Sequence, residues 1–128
     1  MVMEQLAVEI VGLCREYGEC RVEVERMEEA RRVKNALESV CAMARQRLDI
    51  SDPALLLALL DACEVTRDEG MLQEVLDVVG RNLDRLAVSA ESVKLLACCY
   101  YYVEEEECVE RAGRMLEELR EDGKEIHI

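Results

Sequence analysis

Seven cysteines, three consecutive tyrosines and 29 carboxylates are the side chains with chemistry to offer in this 128-residue chain. A thiol or hydroxyl nucleophile needs a neighbouring base. The single imidazole, His127, is the penultimate residue, in the stretch where chain ends fray. With 29 acids in the chain no carboxylate pair is singled out for acid–base work. Cys98, Cys99 and Cys108 are the thiols that could approach one metal ion. Adjacent helical positions project about 100° apart, no Cys-x-x-Cys occurs, and no histidine lies near. These cysteines are expected to pack as small hydrophobes. A di-iron bundle would need Glu-x-x-His on facing helices and a phosphate cradle a Gly-rich turn, and the sequence has neither. The expectation is a protein that is not an enzyme and has no cofactor.

Residues that hold a partner are a better match to what is present. Tyr100, Tyr101 and Tyr102 sweep about 200° of a helix surface, so at least one ring stays outside the core. Tyrosine supplies contact area with a polar tip and is favoured at interfaces. These three, with Lys94 on the same segment and Glu104 and Glu105 just beyond it, form the candidate partner-binding set. The bland account divides the tyrosines into one core, one boundary and one exposed ring, and treats Glu104 to Glu107 as a solvated, self-repelling connection. Arg31, Lys34 and Arg45 form a secondary basic edge within about 60° of one helix, with Glu38 among them.

Formal net charge is −13. Residues 1–50 carry −2, residues 51–88 carry −5 and residues 89–128 carry −6. Such a field repels phosphate backbones, and no aromatic ladder is present for stacking bases, so nucleic acid is disfavoured as a direct ligand. Another protein or peptide, basic in character, is the natural match.

Periodicity and punctuation place six helices. The first runs from about Met3 to Tyr17, with Leu6, Ile10, Leu13, Cys14 and Tyr17 on one face. The second runs unbroken from about Val22 to Leu48, with Met27, Ala30, Leu37, Cys41, Ala44 and Leu48 as its stripe. Ser51-Asp52-Pro53 is a start signal for a third, about Pro53 to Thr66. A fourth spans about Glu69 to Leu86. Ser89 caps a fifth, about Ala90 to Val103, and a sixth covers about Glu105 to Glu121, ending at Gly123. Connections of two to five residues make neighbours antiparallel. One all-helical domain over 1–128 follows, as hairpins at about 3–48, 53–86 and 90–121 with a tail at 122–128. A compact helical bundle is the alternative architecture.

A shift of 36 residues lays Leu59 and Leu60 on Leu95 and Leu96, Cys63 on Cys99, Leu76 on Ala112, Val79 on Met115 and Leu83 on Leu119, with Pro53 on Ser89. Such a period marks stacked two-helix units. The segment from Val93 to Tyr100, a large residue followed by Leu, a small residue and Tyr, resembles the first helix of tetratricopeptide-like (TPR-like) hairpin repeats. Ala112, Leu116 and Leu119 stand at the packing positions of the second helix. The resemblance covers about residues 53–122. It departs from the family in its period (about 34 there), in Ala97 where the family has Gly, and in lacking the closing Pro after Leu119. It implies a right-handed stack of hairpins presenting a groove to a peptide or helix, hence an adaptor, a chaperone-like scaffold or a complex subunit. A clamp for a peptide carboxylate, which some members build from Lys and Asn on first helices, is not expected. Lys94 alone lies on such a helix, while Asn35 and Asn82 lie on second helices.

Two alternatives accompany that expectation. One is a small factor held to a large assembly, such as a ribosome or multi-protein complex, through Arg31, Lys34 and Arg45. The other is a metal or redox protein using Cys98, Cys99 and Cys108. The odd number of cysteines points to a reducing compartment, cytoplasm or nucleus. The longest uncharged run, nine residues from Leu95 to Val103, is far short of a membrane span.

Overall fold

The computed structural model of the chain describes residues 3–123. Its helices are α1 (Met3–Cys20), α2 (Met27–Arg45), α3 (Pro53–Thr66), α4 (Glu69–Arg81), α5 (Ala90–Val103) and α6 (Glu106–Glu121), and the described residues contain no strand. The all-helical class therefore stands. His127 and the tail from residue 124 onward lie outside the described residues.

The starts of three helices follow directly from the sequence. Asp52 accepts the Leu55 amide at 3.1 Å with Pro53 in the first turn, Asp68 accepts the Met71 amide at 3.0 Å, and Ser89 accepts the Ser92 amide at 3.1 Å. Each satisfies an orphan donor that a helix start would otherwise leave open. Ser92, fully buried, is itself bonded by the Ser89 hydroxyl at 3.0 Å. α3 and α5 close alike: Arg67 (φ 60°) and Glu104 (φ 52°) turn left-handed, and their amides donate to the carbonyls of Cys63 and Tyr100, each at 2.8 Å.

These landmarks recur every 37 residues: caps at Asp52 and Ser89, left-handed turns at Arg67 and Glu104, helix entries at Asp68 and Glu105. Buried Leu55, Leu56, Ala58, Leu59 and Ala62 correspond to buried Ser92, Val93, Leu95, Leu96 and Cys99. The 36-residue overlay of these two helices is thus one residue out. It took Pro53 for the cap, whereas the capping side chain belongs to Asp52.

α1 packs against α2 and α3, α3 against α4 and α5, and α5 against α6. α1, α3 and α5 consequently lie in a row. One core runs through them, from Leu6 and Ile10 through Leu37 and Leu59 to Leu96 and Met115.

The boundaries of three expected helices are corrected. α1 continues past Tyr17 to Cys20, whose side chain is fully buried. The single helix expected from Val22 to Leu48 is instead a 3-10 turn at Val24–Arg26 followed by α2, which stops at Arg45. Arg26 secures the bend, its Nε and Nη2 donating to the two oxygens of Glu29 at 3.0 Å each. Met27 is 64% exposed rather than part of the stripe. Beyond Arg45, Leu48 and Ile50 reach the core from an irregular segment. The fourth helix ends at Arg81, five residues before Leu86, and Leu83–Arg85 is a 3-10 turn. Leu83 and Leu86 still face the core. A three-residue turn keeps nearly the same apolar spacing as a 3.6-residue helix, so periodicity reads straight through it.

Candidate functional site

The row of α1, α3 and α5 leaves an open trough of about 470 Å³ along its outer surface. α1 contributes Ala7, Val8, Val11 and Gly12, and α3 contributes Ala54, Leu57 and Ala58. Val8 is 74% exposed, and Val11 is also classed among the exposed large hydrophobics. Small residues at Ala7, Gly12, Ala54 and Ala58 keep the floor low, so a partner backbone can come close. Nothing of this protein lies within 4 Å of where a Cβ on Gly12 would sit. Its small size is therefore not demanded by the packing of the fold.

Four charges rim the trough: Arg15 on α1, Asp61 on α3, Glu91 and Lys94 on α5. Asp61 is reachable by solvent, yet the protein around it raises its carboxyl above the ordinary 3.8. Cys14 of α1 and Cys98 of α5 both feel its charge, which places Asp61 at the centre of the row. The trough offers apolar area flanked by opposite charges, and no base–nucleophile pair among its lining residues.

The expected partner-binding residues do not form one patch. Lys94 lines the trough. Tyr101, 74% exposed, lies two turns beyond it and within about 20° of the same face of α5. Tyr102 is turned away and half-buried: its hydroxyl donates to Glu64 Oε2 at 2.9 Å, and burial followed by that carboxylate raises its pKa. Its ring meets Tyr101 edge-on, with centroids 5.2 Å apart. Tyr100 packs half-buried on the core. Glu104 serves as the left-handed turn closing α5, and Glu105 precedes α6 without capping it through its side chain.

The basic edge on α2 is dispersed by internal pairing. Arg45 reaches across to α4, where its Nε and Nη2 meet Glu74 at 2.8 and 2.6 Å, and its Nη1 approaches Asp68 at 3.6 Å. Arg31 pairs with Glu28 at 2.7 Å on its own helix. Lys34 is partly buried. Two of the three cations are thus paired within the protein.

The cysteines are all free. Burial holds Cys14 at about 11 and Cys41, Cys63 and Cys99 at about 12, against an ordinary 9.0, and raises Cys20, Cys98 and Cys108 as well. Held as thiols at neutral pH, they are poor nucleophiles. Beyond burial, Cys99 of α5 feels Cys108 of α6, and Cys98 feels Asp61 of α3. No group of three or more His, Cys, Asp or Glu among the described residues is arranged to hold a metal ion. No helix among them is long and apolar enough to cross a membrane.

Sequence inspection missed Val8, Val11, Leu57 and Asp61. Two signals pointed to them. Val8 and Val11 lie off the Leu6–Ile10–Leu13 stripe, and the run Pro53 to Cys63 is apolar nearly all round, the mark of a helix covered on more than one side. Comparison with protein-family models, curated proteins and solved structures finds no match to this chain.

Proposed function

We propose that the protein is a non-enzymatic interaction scaffold whose α1–α3–α5 trough receives a basic amphipathic helix of a partner protein. The observation that carries this reading is the trough itself: exposed apolar side chains at Val8 and Val11 and a half-buried Leu57 above a floor of small residues. A helix laid in a groove presents apolar anchors at i, i+3, i+4 and i+7. Small residues on the receiving surface allow its backbone to come near. Arg15, Asp61, Glu91 and Lys94 cancel in charge and would set register rather than attraction. The overall charge of −13 draws a basic segment toward the surface and speeds its encounter, an effect that salt weakens. Tyr101 extends the same face of α5 and would add a ring at the far end.

The test is a display library of helical 20-residue peptides panned against the immobilised protein. Selected clones are expected to be basic with an apolar stripe. They should lose binding to Leu57→Glu and to Gly12→Leu, which fills the trough where the fold leaves space, and keep binding to Met43→Glu, an exposed site on α2. Thermal unfolding checks that each variant remains folded. Selected peptides indifferent to Gly12→Leu and Leu57→Glu, or no enrichment at all, would refute the proposal.

A further inference from the structure

A second cleft, of about 490 Å³, opens where the end of α4 and the following 3-10 turn meet α6. Arg81 and Arg85 line one side, and Arg111 and Arg114 line the other. Residues 51–128 carry eight basic side chains against nineteen acidic ones, and half of the eight converge here. On so acidic a stretch, that clustering is the feature to be explained.

Arg111 has a structural duty. Its Nε donates to the Leu83 carbonyl and its Nη2 to the Leu86 carbonyl, both at 3.2 Å, tying the 3-10 turn to α6. That duty accounts for one guanidinium and leaves three. Arg85 donates only to Asn82 Oδ1 at 3.3 Å. Arg81 and Arg114 make no hydrogen bond or ion pair among the described residues. Asp84, Glu107 and Glu110 share the cleft, yet no carboxylate among the described residues comes within 4.0 Å of any of the four arginines. Arg81 and Arg114 line the cleft without a protein partner among the described residues, and Arg85 lines it with only Asn82 and the field of Asp49 beside it.

We propose that this cleft is an oxyanion site that takes a phosphate group, either as the free ion or on a phosphorylated side chain. Guanidinium forks match phosphate oxygens two at a time, with hydrogen bonds stronger than neutral ones. Arg111, anchored by two carbonyls, gives the site a fixed wall against which Arg81, Arg85 and Arg114 close. Asp84, Glu107 and Glu110 in the same cleft oppose an anion, and the four guanidinium groups outnumber them.

The experiment is a titration of the isotopically labelled protein followed through its backbone amide resonances. Three probes are added at matched ionic strength: inorganic phosphate, a short phosphoserine peptide with neutral flanks, and its unphosphorylated twin. The phosphoserine peptide is expected to shift amides within residues 80–85 and 107–114, and the twin to leave them in place. If inorganic phosphate shifts the same amides, the free ion suffices. If the peptide alone does so, the flanking chain is needed. Either result supports the site. Arg81→Gln with Arg114→Gln should weaken binding about tenfold or more, while Arg31→Gln should not, the thermal midpoint confirming that each variant is folded. The proposal is overturned if neither phosphate source shifts these amides, if the twin matches the phosphopeptide, or if the paired variant binds as tightly as the parent.

Discussion

The first hairpin and the two that follow it are made from the same kind of helix but are punctuated and finished differently. α3 and α5 begin at side-chain caps and end at left-handed turns in a common 37-residue register. In the first hairpin α2 starts at Met27 directly behind a 3-10 turn and, like α6, has no side-chain cap. Surface character divides along the same line. Val8, Val11, Val22, Val24, Met27 and Met43 make up six of the ten exposed large hydrophobics among the described residues, all within the first 45 residues. Residues 51–128 hold −11 of the −13 charge. The later hairpins are the regular, strongly acidic part of the molecule. The first brings to their row the apolar side chains Val8 and Val11 that make the trough.

Equivalence of the later hairpins is most sharply tested in their cores. Leu59 and Leu96, fully buried at corresponding positions, should each cost about 2–5 kcal/mol on replacement by Ala. Met27→Ala, in the first hairpin's turn, should stay within about 0.5 kcal/mol. Chemical denaturation of the three variants measures this. Unequal losses at Leu59 and Leu96 would break the correspondence.

The seam between the two regions is built around thiols. Cys14 and Cys41 of the first hairpin and Cys63 of the second influence one another, and Cys99 sits apart in the third. A thiol whose folded pKa is raised adds stability that is fully present below its unfolded value of 9.0 and is lost as pH climbs toward about 12. The unfolded chain releases its proton first. The loss above pH 9 should be on the order of 1 kcal/mol per pH unit for each such thiol. Denaturation midpoints at pH 7, 9, 10 and 11 should fall steeply. Cys41→Ala with Cys63→Ala should flatten that fall more than Cys99→Ala does, and a midpoint indifferent to pH up to 11 would contradict the burial of these thiols.

Caps give a smaller contrast. Asp52→Ala and Ser89→Ala should each destabilise by about 1 kcal/mol, whereas Arg26→Ala removes no side-chain cap and acts through its part-buried pairing with Glu29 and its looser one with Glu23. The smallest effect is expected at the left-handed turns. Arg67→Gly and Glu104→Gly relieve a conformation that costs a non-glycine residue about 1 kcal/mol or more. The added freedom of glycine in the unfolded chain offsets part of the gain, so stabilisation of about 0.5 kcal/mol should appear at both.

Much of this architecture is written locally. Asp52-Pro53 and Ser89 announced α3 and α5, whose boundaries matched the expectation at both ends. Three successive tyrosines on a helix had to leave one ring outside, and Tyr101 is that ring. The site was less legible. Arg31, Lys34 and Arg45 share a helix face, but Glu74 lies 29 residues from Arg45 in the chain and draws it into an internal pair.

Helical class, the capped starts and the uneven charge were determined by the sequence, because propensity, capping and net charge depend on residues near one another or simply on their number. The trough, the arginine cleft and the division of labour among the tyrosines were decided by tertiary structure alone. A 3.6-residue period records that a face is apolar, and only the packing of α1, α3 and α5 decides which of those faces is covered and which is left open.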